Sequence, residues 1–371
     1  MHFGVDAHRL AGQRLGVGRY IEYLVKHWRT MMQNGDRCTL YTREPYDGTG
    51  WEPSPAISVH TFAGRVPPGL WQHGVLPRFT SGIDVLFCPS YSVPVTYTGK
   101  CVVAIHSMNE VESGTHPWWY KLTYSRLYRF SADRADRIIV PSESTRQDLE
   151  RYYGIGGAKV DIVVQGADES FRPITDDALK RATRIRFLGT DRPYIVFVGK
   201  LSTRRNIPAL IEAFSIVKRR TRLPHALLLV GPNHVGVPLD TLIAKYGVQG
   251  DVVQTDGRFA SHLEVPPVYA SADLYVNASS YEGFSMTLVE ALSCGTPVVT
   301  VNRAALAEIA AGAAEFVEEP TPADLADAIE RVLTDPELSR SLSERGARRA
   351  DTFRWHVTAR QTLDVLRRVA A

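Results

Sequence analysis

What most constrains this chain is a rhythm: short apolar, β-branched runs recur along its length, each followed by a stretch with helical spacing. In the first half the runs are His2–Asp6, Arg37–Tyr41, Val85–Cys88, Val102–Ile105, Arg137–Val140 and Val160–Val164. In the second half they are Tyr194–Val198, Ala226–Val230, Val252–Gln254, Leu274–Asn277, Pro297–Val301 and Glu315–Val317. Runs that are apolar throughout, rather than alternating, belong to strands covered by helices on both faces. Alternating strand and helix patterns build parallel sheets. At 371 residues the chain is too long for one ordinary core. The expected fold is therefore α/β, with two doubly wound domains, residues 1–170 and 190–352, facing across a cleft. The stretch 166–192 is polar, contains proline and shows no clear apolar face, so it is expected to be the junction. Residues 353–371 read as an amphipathic helix that caps the second domain or crosses back to the first.

Composition excludes several function classes. The net charge is +3, and it is spread evenly: residues 1–175 hold 19 basic and 17 acidic side chains, the remainder 24 and 23. Such a balance leaves no electrostatic footprint for a dedicated nucleic-acid binder. The four cysteines, Cys38, Cys88, Cys101 and Cys294, form no CxxC pair and sit in or beside apolar runs. They read as reduced thiols of a cytosolic protein, and no metal site is expected from them. MHFGVDAHRL enters a strand-like segment with no basic n-region or long apolar h-region. No apolar run approaches the ~20 residues that span a bilayer. The expected location is cytoplasmic. The stretch Trp118–Arg137, WWYKLTYSRLYRFSADRADR, mixes aromatic and basic residues at helical spacing. It reads either as a core-packed helix or as a peripheral contact with an anionic membrane surface.

Doubly wound sheets take their ligands beyond the carboxyl ends of the strands, so the loops there carry the chemistry. In SSYEGFSMTLVEALSCGTPVVT, Leu274–Asn277 is the strand, Ala278–Ser285 the loop, and Met286–Ser293 a helix closed by Gly295 and Pro297. Gly283 admits close backbone approach, and the amides at the helix start attract phosphate. Glu282 precedes that anion site and Glu290 follows it by about a turn, so the two carboxylates can hold hydroxyls on either side of a diphosphate. The plainer reading is an acid near a helix start and a solvated helix residue. In IVFVGKLSTRRNIPALIEAF, the loop after the strand carries Lys200, Arg204, Arg205 and Asn206, cations suited to a diphosphate leaving group. In RLGVGRYIEYLVKHW, Gly16 and Gly18 would open a loop into a helix beginning near Arg19, though Ile21 stands where a dinucleotide fingerprint needs its third glycine. That failure argues against a nicotinamide dehydrogenase. Tyr91 and His106 end first-domain strands, and Asn109, Glu110 and Glu112 follow His106. The chain has no Asp-x-Asp pair to clamp a metal–nucleotide complex, so the diphosphate charge would fall to Lys, Arg and helix amides.

Taken together, these segments resemble retaining family 4 glycosyltransferases of GT-B architecture, two Rossmann-like domains. YEGFSMTLVEALSCGTPVV resembles the family's E-x7-E segment, and FVGKLSTRRNIPALIEAF its GRL-x3-KN segment. IIVPSESTRQDL, LLLVGP and FRWHVTARQTLDVL also resemble family segments. GVDAHRLAGQRLGVGRY, CPSYSVP and VVAIH are similar to bacterial mannosyltransferase-like members of polysaccharide biosynthesis. The resemblance implies transfer of a sugar, first GDP-mannose and otherwise a UDP- or dTDP-sugar, to a glycan or lipid-linked acceptor, without metal or cofactor. It implies that Glu282 binds donor-sugar hydroxyls, with Gly283, Phe284 and Ser285 beside it. Met286 and Thr287 amides would hold the diphosphate, and Glu290 the ribose. Lys200 and Arg205 would neutralise charge, His106 contact the donor, and Gly16 and Gly18 lie near the phosphates. Arg258 and Phe259 would sit by the base, and Tyr91 and Asn109 on the acceptor side, in the first domain. Departures are visible: Lys200 and Arg205 invert the usual Arg-then-Lys order, Ser107 replaces the Asp after His106, Ser285 replaces a glycine, and Thr287 replaces a proline-like position. A catalytically silent sugar-nucleotide-binding subunit is the alternative of a different class.

Overall fold

The computed structural model describes all residues except 11–15, 34, 47–53, 63–65, 110, 112–117, 234–235 and 256–263, and no side chains at 118–122. The chain divides into two compact units, Met1–Gln165 with Trp355–Ala371, and Gly166–Arg354.

The first unit is built on seven parallel strands. They are β1 (His2–Asp6), β2 (Arg37–Thr42), β3 (Ile57–Thr61), β4 (Val85–Cys88), β5 (Cys101–Ala104), β6 (Arg137–Val140) and β7 (Val160–Ile162). Their order is β3-β2-β1-β4-β5-β6-β7, so the direction of strand addition reverses between β1 and β4. Strand β3 has no counterpart in the apolar pattern. Its sequence, ISVHT, is exposed at its three central residues, as an edge strand allows. The helix Val17–Met31 packs on the sheet together with the C-terminal helix Trp355–Ala370. Trp28 donates its indole N–H to the Ala359 carbonyl at 2.8 Å, and Tyr23 stacks on Trp355 with centroids 4.8 Å apart. Asp36 ties this helix down, pairing with Arg367 at 2.9 Å and with the Met1 ammonium at 3.1 Å.

The second unit holds six parallel strands: β8 (Tyr194–Val198), β9 (Ala226–Val230), β10 (Val252–Gln254), β11 (Leu274–Asn277), β12 (Val298–Val301) and β13 (Glu315–Val317). The order β10-β9-β8-β11-β12-β13 reverses between β8 and β11. The stretch read as a featureless junction contains a helix, Asp177–Leu188, within this unit. Asp176 caps it by accepting from the amides of Ala178 and Leu179, and Gly189 ends it in a left-handed conformation. Only Thr183 and Phe187 of this helix are buried, too few to print an apolar face on the sequence.

All four cysteines are buried free thiols. No helix among the described residues is long and apolar enough to cross a membrane.

Candidate functional site

In an open parallel sheet the crevice for ligands lies at the carboxyl ends of the two strands where the order reverses. In the second unit these are β8 and β11, and the loops that follow them are the two singled out in the sequence. Each of the neighbouring strands β8 and β9 is followed directly by a glycine with positive φ, Gly199 at 141° and Gly231 at 138°. A Cβ on Gly231 would lie 2.3 Å from the Gly199 carbonyl oxygen, so the two backbones approach as only glycine permits. That approach sets the start of the Lys200 loop, with Leu201 N–H bonded to the Pro232 carbonyl at 3.0 Å. Gly231 lies in LLLVGP, and a glycine directly after an apolar run was its only signal.

The loop of residues 200–206 is fastened to the loop after β11. The Ser280 amide donates to the Arg204 carbonyl at 2.9 Å, and the Ser280 hydroxyl to the same oxygen at 3.2 Å. Arg204 donates in return to the Tyr281 carbonyl. Glu282 lies between the cations: its Oε1 is 2.8 Å from Arg205 Nη1 and 3.4 Å from Arg204 Nη1. The Glu282 side chain is 9% exposed and that of Arg205 16%. Burial alone would push the Glu282 carboxyl up, but Arg205 and then Arg204 outweigh it, holding it below the usual carboxylate range. The close Glu282 and Arg205 atoms make an ionic contact but no aligned hydrogen bond. Hydrogen-bonding capacity therefore remains on a carboxylate and a guanidinium side by side. Lys200 is exposed and, among the described residues, makes no ion pair or hydrogen bond.

The helix Met286–Ser293 starts from Ser285, which adopts φ 89°, ψ 77°. A serine there is strained, since the left-handed region suits glycine. Its hydroxyl is held by Asn277 Nδ2 at 3.1 Å and pairs with the Thr287 hydroxyl at 3.3 Å. Tyr275 donates to Thr287 Oγ1 at 3.0 Å, so buried side chains of β11 brace the helix start from below. Phe284 is buried edge-on against Phe353, with centroids 5.8 Å apart, and Gly283 is buried beside it. Met286 and Thr287 are half-buried. Glu290 is no solvated helix residue: it is 3% exposed and accepts from Tyr269 at 3.0 Å. Tyr269 was missed because nothing local links it to a glutamate in another helix. Arg258 and Phe259 lie outside the described residues, as do Glu110 and Glu112.

In the first unit, Gly16 is the N-cap of Val17–Met31 with φ 52°. Gly18 is not in the loop: the helix begins two residues before Arg19, and Gly18 is buried in its first turn, which confines the glycine hinge to Gly16. His106 follows β5. Its Nε2 bonds the Pro89 carbonyl at 2.8 Å, which only accepts, so Nε2 carries the proton. Nδ1 then accepts from Gln165 Nε2 at 2.9 Å. Burial lowers its pKa to about 4, so the ring is neutral with both nitrogens engaged inside the unit. Contact with a ligand through either nitrogen requires exchange of one of these bonds. Tyr91 sits at φ 66°, stacks on Tyr128 at 5.1 Å, and shares a 3.2 Å hydrogen bond with Ser107, whose hydroxyl accepts from Asn109 at 2.8 Å. The Trp118–Arg134 helix exposes Tyr124, Arg126 and Phe130.

Both units match known families. Residues 15–171 match the family described as "Glycosyltransferase Family 4", and residues 181–349 that described as "Glycosyl transferases group 1". The chain belongs to the family 4 glycosyltransferases of GT-B architecture. Among the relatives of this glycosyltransferase is a D-inositol 3-phosphate glycosyltransferase of Corynebacterium urealyticum, 26% identical over 90% of this chain and 81% of that one. Another is an MMP alpha-(1->4)-mannosyltransferase of Mycolicibacterium hassiacum, 28% identical over 71% of this chain and 62% of that one. The sucrose-phosphate synthase structure from Thermosynechococcus elongatus superposes with a TM-score of 0.79 at 20% identity, covering 99% of this chain and 98% of its own. Anabaena HepE in complex with UDP-glucose gives 0.77 at 17% identity, covering 98% of each. These structural likenesses establish the GT-B fold. The glycosyltransferase is thus a sugar-transferring enzyme.

Proposed function

We propose that this enzyme transfers a sugar from a nucleoside diphosphate donor to an acceptor hydroxyl, with retention at the anomeric carbon and without a metal. The observation that carries the reading is the buried Glu282 carboxylate held against Arg205 and Arg204 at the carboxyl end of β11, one loop before a helix N-terminus. A carboxylate and a guanidinium with hydrogen-bonding capacity left over suit the hydroxyls and phosphates of one ligand. Glu282 takes donor-sugar hydroxyls, the amides of Met286 and Thr287 take a phosphate, and Glu290 takes the ribose. Lys200, Arg204 and Arg205 supply the positive charge that a departing diphosphate needs, which is the argument for metal independence. Retention follows from a front-face displacement in which the leaving phosphate accepts the acceptor's proton, a step needing no protein nucleophile.

GDP-mannose is the first donor, supported by the M. hassiacum mannosyltransferase and by an Escherichia coli O-antigen chain mannosyltransferase B, 26% identical over 63% of this chain and 61% of that one. A UDP- or dTDP-sugar is the alternative, favoured by the UDP-glucose in the HepE complex. The acceptor is a glycan or lipid-linked hydroxyl presented to the first unit, where Tyr91 and Asn109 share Ser107 as a hydrogen-bond partner. Exposed Phe130 and Arg126 fit a peripheral contact with an anionic membrane surface.

The test is a hydrolysis and transfer screen against GDP-, UDP-, dTDP- and ADP-sugars in EDTA, with the product's anomer read by proton NMR. Turnover of one nucleotide family with a retained anomer supports the reading. Turnover restored only by added divalent metal, or an inverted anomer, refutes the corresponding part.

A further inference from the structure

The carboxyl edge of the first unit's sheet holds a cluster that the donor site leaves unused. It lies at the β1/β4 reversal, the counterpart within this unit of the β8/β11 position of Glu282 and Arg205. Asp6, the last residue of β1, is fully buried. Its Oδ2 accepts from Gln72 Nε2 at 2.8 Å, and its Oδ1 from His8 Nδ1 at 2.7 Å. Ser92, in the loop after β4, fixes the Gln72 amide: its hydroxyl donates to Gln72 Oε1 at 3.0 Å, and its carbonyl accepts from Nε2 at 3.1 Å.

The contact with Asp6 decides which nitrogen carries the proton when the imidazole is neutral. An ionised carboxylate only accepts, so His8 Nδ1 carries the proton, and in the neutral ring Nε2 is a lone pair. Among the described residues nothing donates to that nitrogen. The His8 side chain is 11% exposed, with its ring tilted against Trp71 at 5.7 Å between centroids. Gln72 and the His8 backbone amide, 3.4 Å from Oδ1, already give the carboxylate two donors. The imidazole adds an oriented acceptor at the ligand edge of the sheet.

We propose that His8 Nε2 binds a hydroxyl of the sugar-accepting molecule, with Asp6 as the positioning residue that fixes the tautomer and ring. This rests on the glycosyl-transfer reading above. A lone pair calls for a donor, such as a hydroxyl, and the Asp6 charge behind the ring disfavours an anion at this spot; Trp71, itself buried, serves only as the wall that holds the ring.

The test uses His8→Phe, which keeps a ring, and His8→Gln, which returns a polar group near the Nε2 position. The probes are methyl α-D-mannopyranoside and myo-inositol with the donor that the wild type hydrolyses. In His8→Phe the KM for the polyol should rise about tenfold, the worth of one hydrogen bond near 1.4 kcal/mol, with donor Kd within twofold, and His8→Gln should recover part of the loss. In parallel, 15N NMR should show His8 as the Nδ1–H tautomer, with the Nε2 resonance moving as polyol is added without donor. An Nε2–H tautomer, an Nε2 resonance unmoved by either polyol, an unchanged polyol KM in His8→Phe, or an equal loss of donor affinity would each overturn the proposal. Absence of donor binding by the wild type would instead refute the donor reading, while the NMR titration still decides for His8.

Discussion

Replacing Arg205 by methionine should destabilise the second unit far more than loss of a surface ion pair would. Glu282 is 9% exposed in its side chain and Arg205 16%, so removing the cation strands a carboxylate in a poorly solvated site. Breaking a buried pair from one side costs roughly 3–5 kcal/mol. Arg204 stays 3.4 Å from the same oxygen and retains part of the attraction, which places the expected cost near the low end, about 3 kcal/mol. For a unit of this size that is a fall of roughly 6–12 °C in Tm. Adding Glu282→Gln should restore about 2 kcal/mol, because the stranded charge is gone. The assay separates the units: all six tryptophans, at 28, 51, 71, 118, 119 and 355, belong to the first unit, and residues 166–354 hold none. Far-UV circular dichroism follows both units, while tryptophan fluorescence follows only the first. A fall below about 2 °C in the circular-dichroism transition that tryptophan fluorescence does not follow, or strict additivity of the two substitutions, would refute the argument that this pair is buried and coupled.

Further outcomes follow from the same geometry. Ser285→Gly should be near neutral in urea denaturation, since relief of left-handed strain, about 1–2 kcal/mol, offsets loss of the Asn277 hydrogen bond. Ser285→Ala, which keeps the strain and loses the bond, should cost about 1 kcal/mol. Gly231→Ala should push the Gly199 carbonyl aside and displace Lys200, cutting donor turnover by at least tenfold in steady-state assays; unchanged turnover would show the close approach to be dispensable. Tyr269→Phe removes one donor to Glu290 and should weaken nucleotide binding about fivefold by calorimetry, a loss near 1 kcal/mol. His106 has its folded pKa depressed to about 4 from an ordinary 6.5, so its contribution to stability is full above pH 6.5 and lost as pH falls toward 4. Its ring proton resonances should not titrate between pH 7 and 5, and a midpoint near 6.5 would contradict the buried, neutral ring.

The sequence carries the layout of this fold because strands covered on both faces must be apolar along their whole length. Val85–Cys88, Leu274–Asn277 and the helix Met286–Ser293 fall where the pattern puts them. Elements that bury little are not legible this way, as with β3 at the sheet edge and the Asp177–Leu188 helix. That helix is bounded by its caps, Asp176 and Gly189, rather than marked by an apolar face. Within the site, residue types were readable and pairings were not. Glu282 and Arg205 each stood out in a loop after a strand, but their contact depends on β8 and β11 being neighbours, which strand order decides and local sequence does not. The same holds for Tyr269 on Glu290 and for Gln165 on His106. Ser285 shows the converse: it looked like a departure from a glycine, and the backbone keeps the glycine's conformation regardless.

The central claim is that Glu282 and Glu290 hold opposite ends of one sugar nucleotide, and calorimetry of both glutamine variants tests it most directly. Wild type, Glu282→Gln and Glu290→Gln are titrated with the working donor and with its bare nucleoside diphosphate, in EDTA. The account predicts that Glu290→Gln weakens both ligands about tenfold, through the ribose they share. Glu282→Gln should erase only the donor's advantage over the bare diphosphate, whose affinity holds or rises as Arg205 is released from its pair. Equal weakening of both ligands by Glu282→Gln, or none by Glu290→Gln, would contradict it.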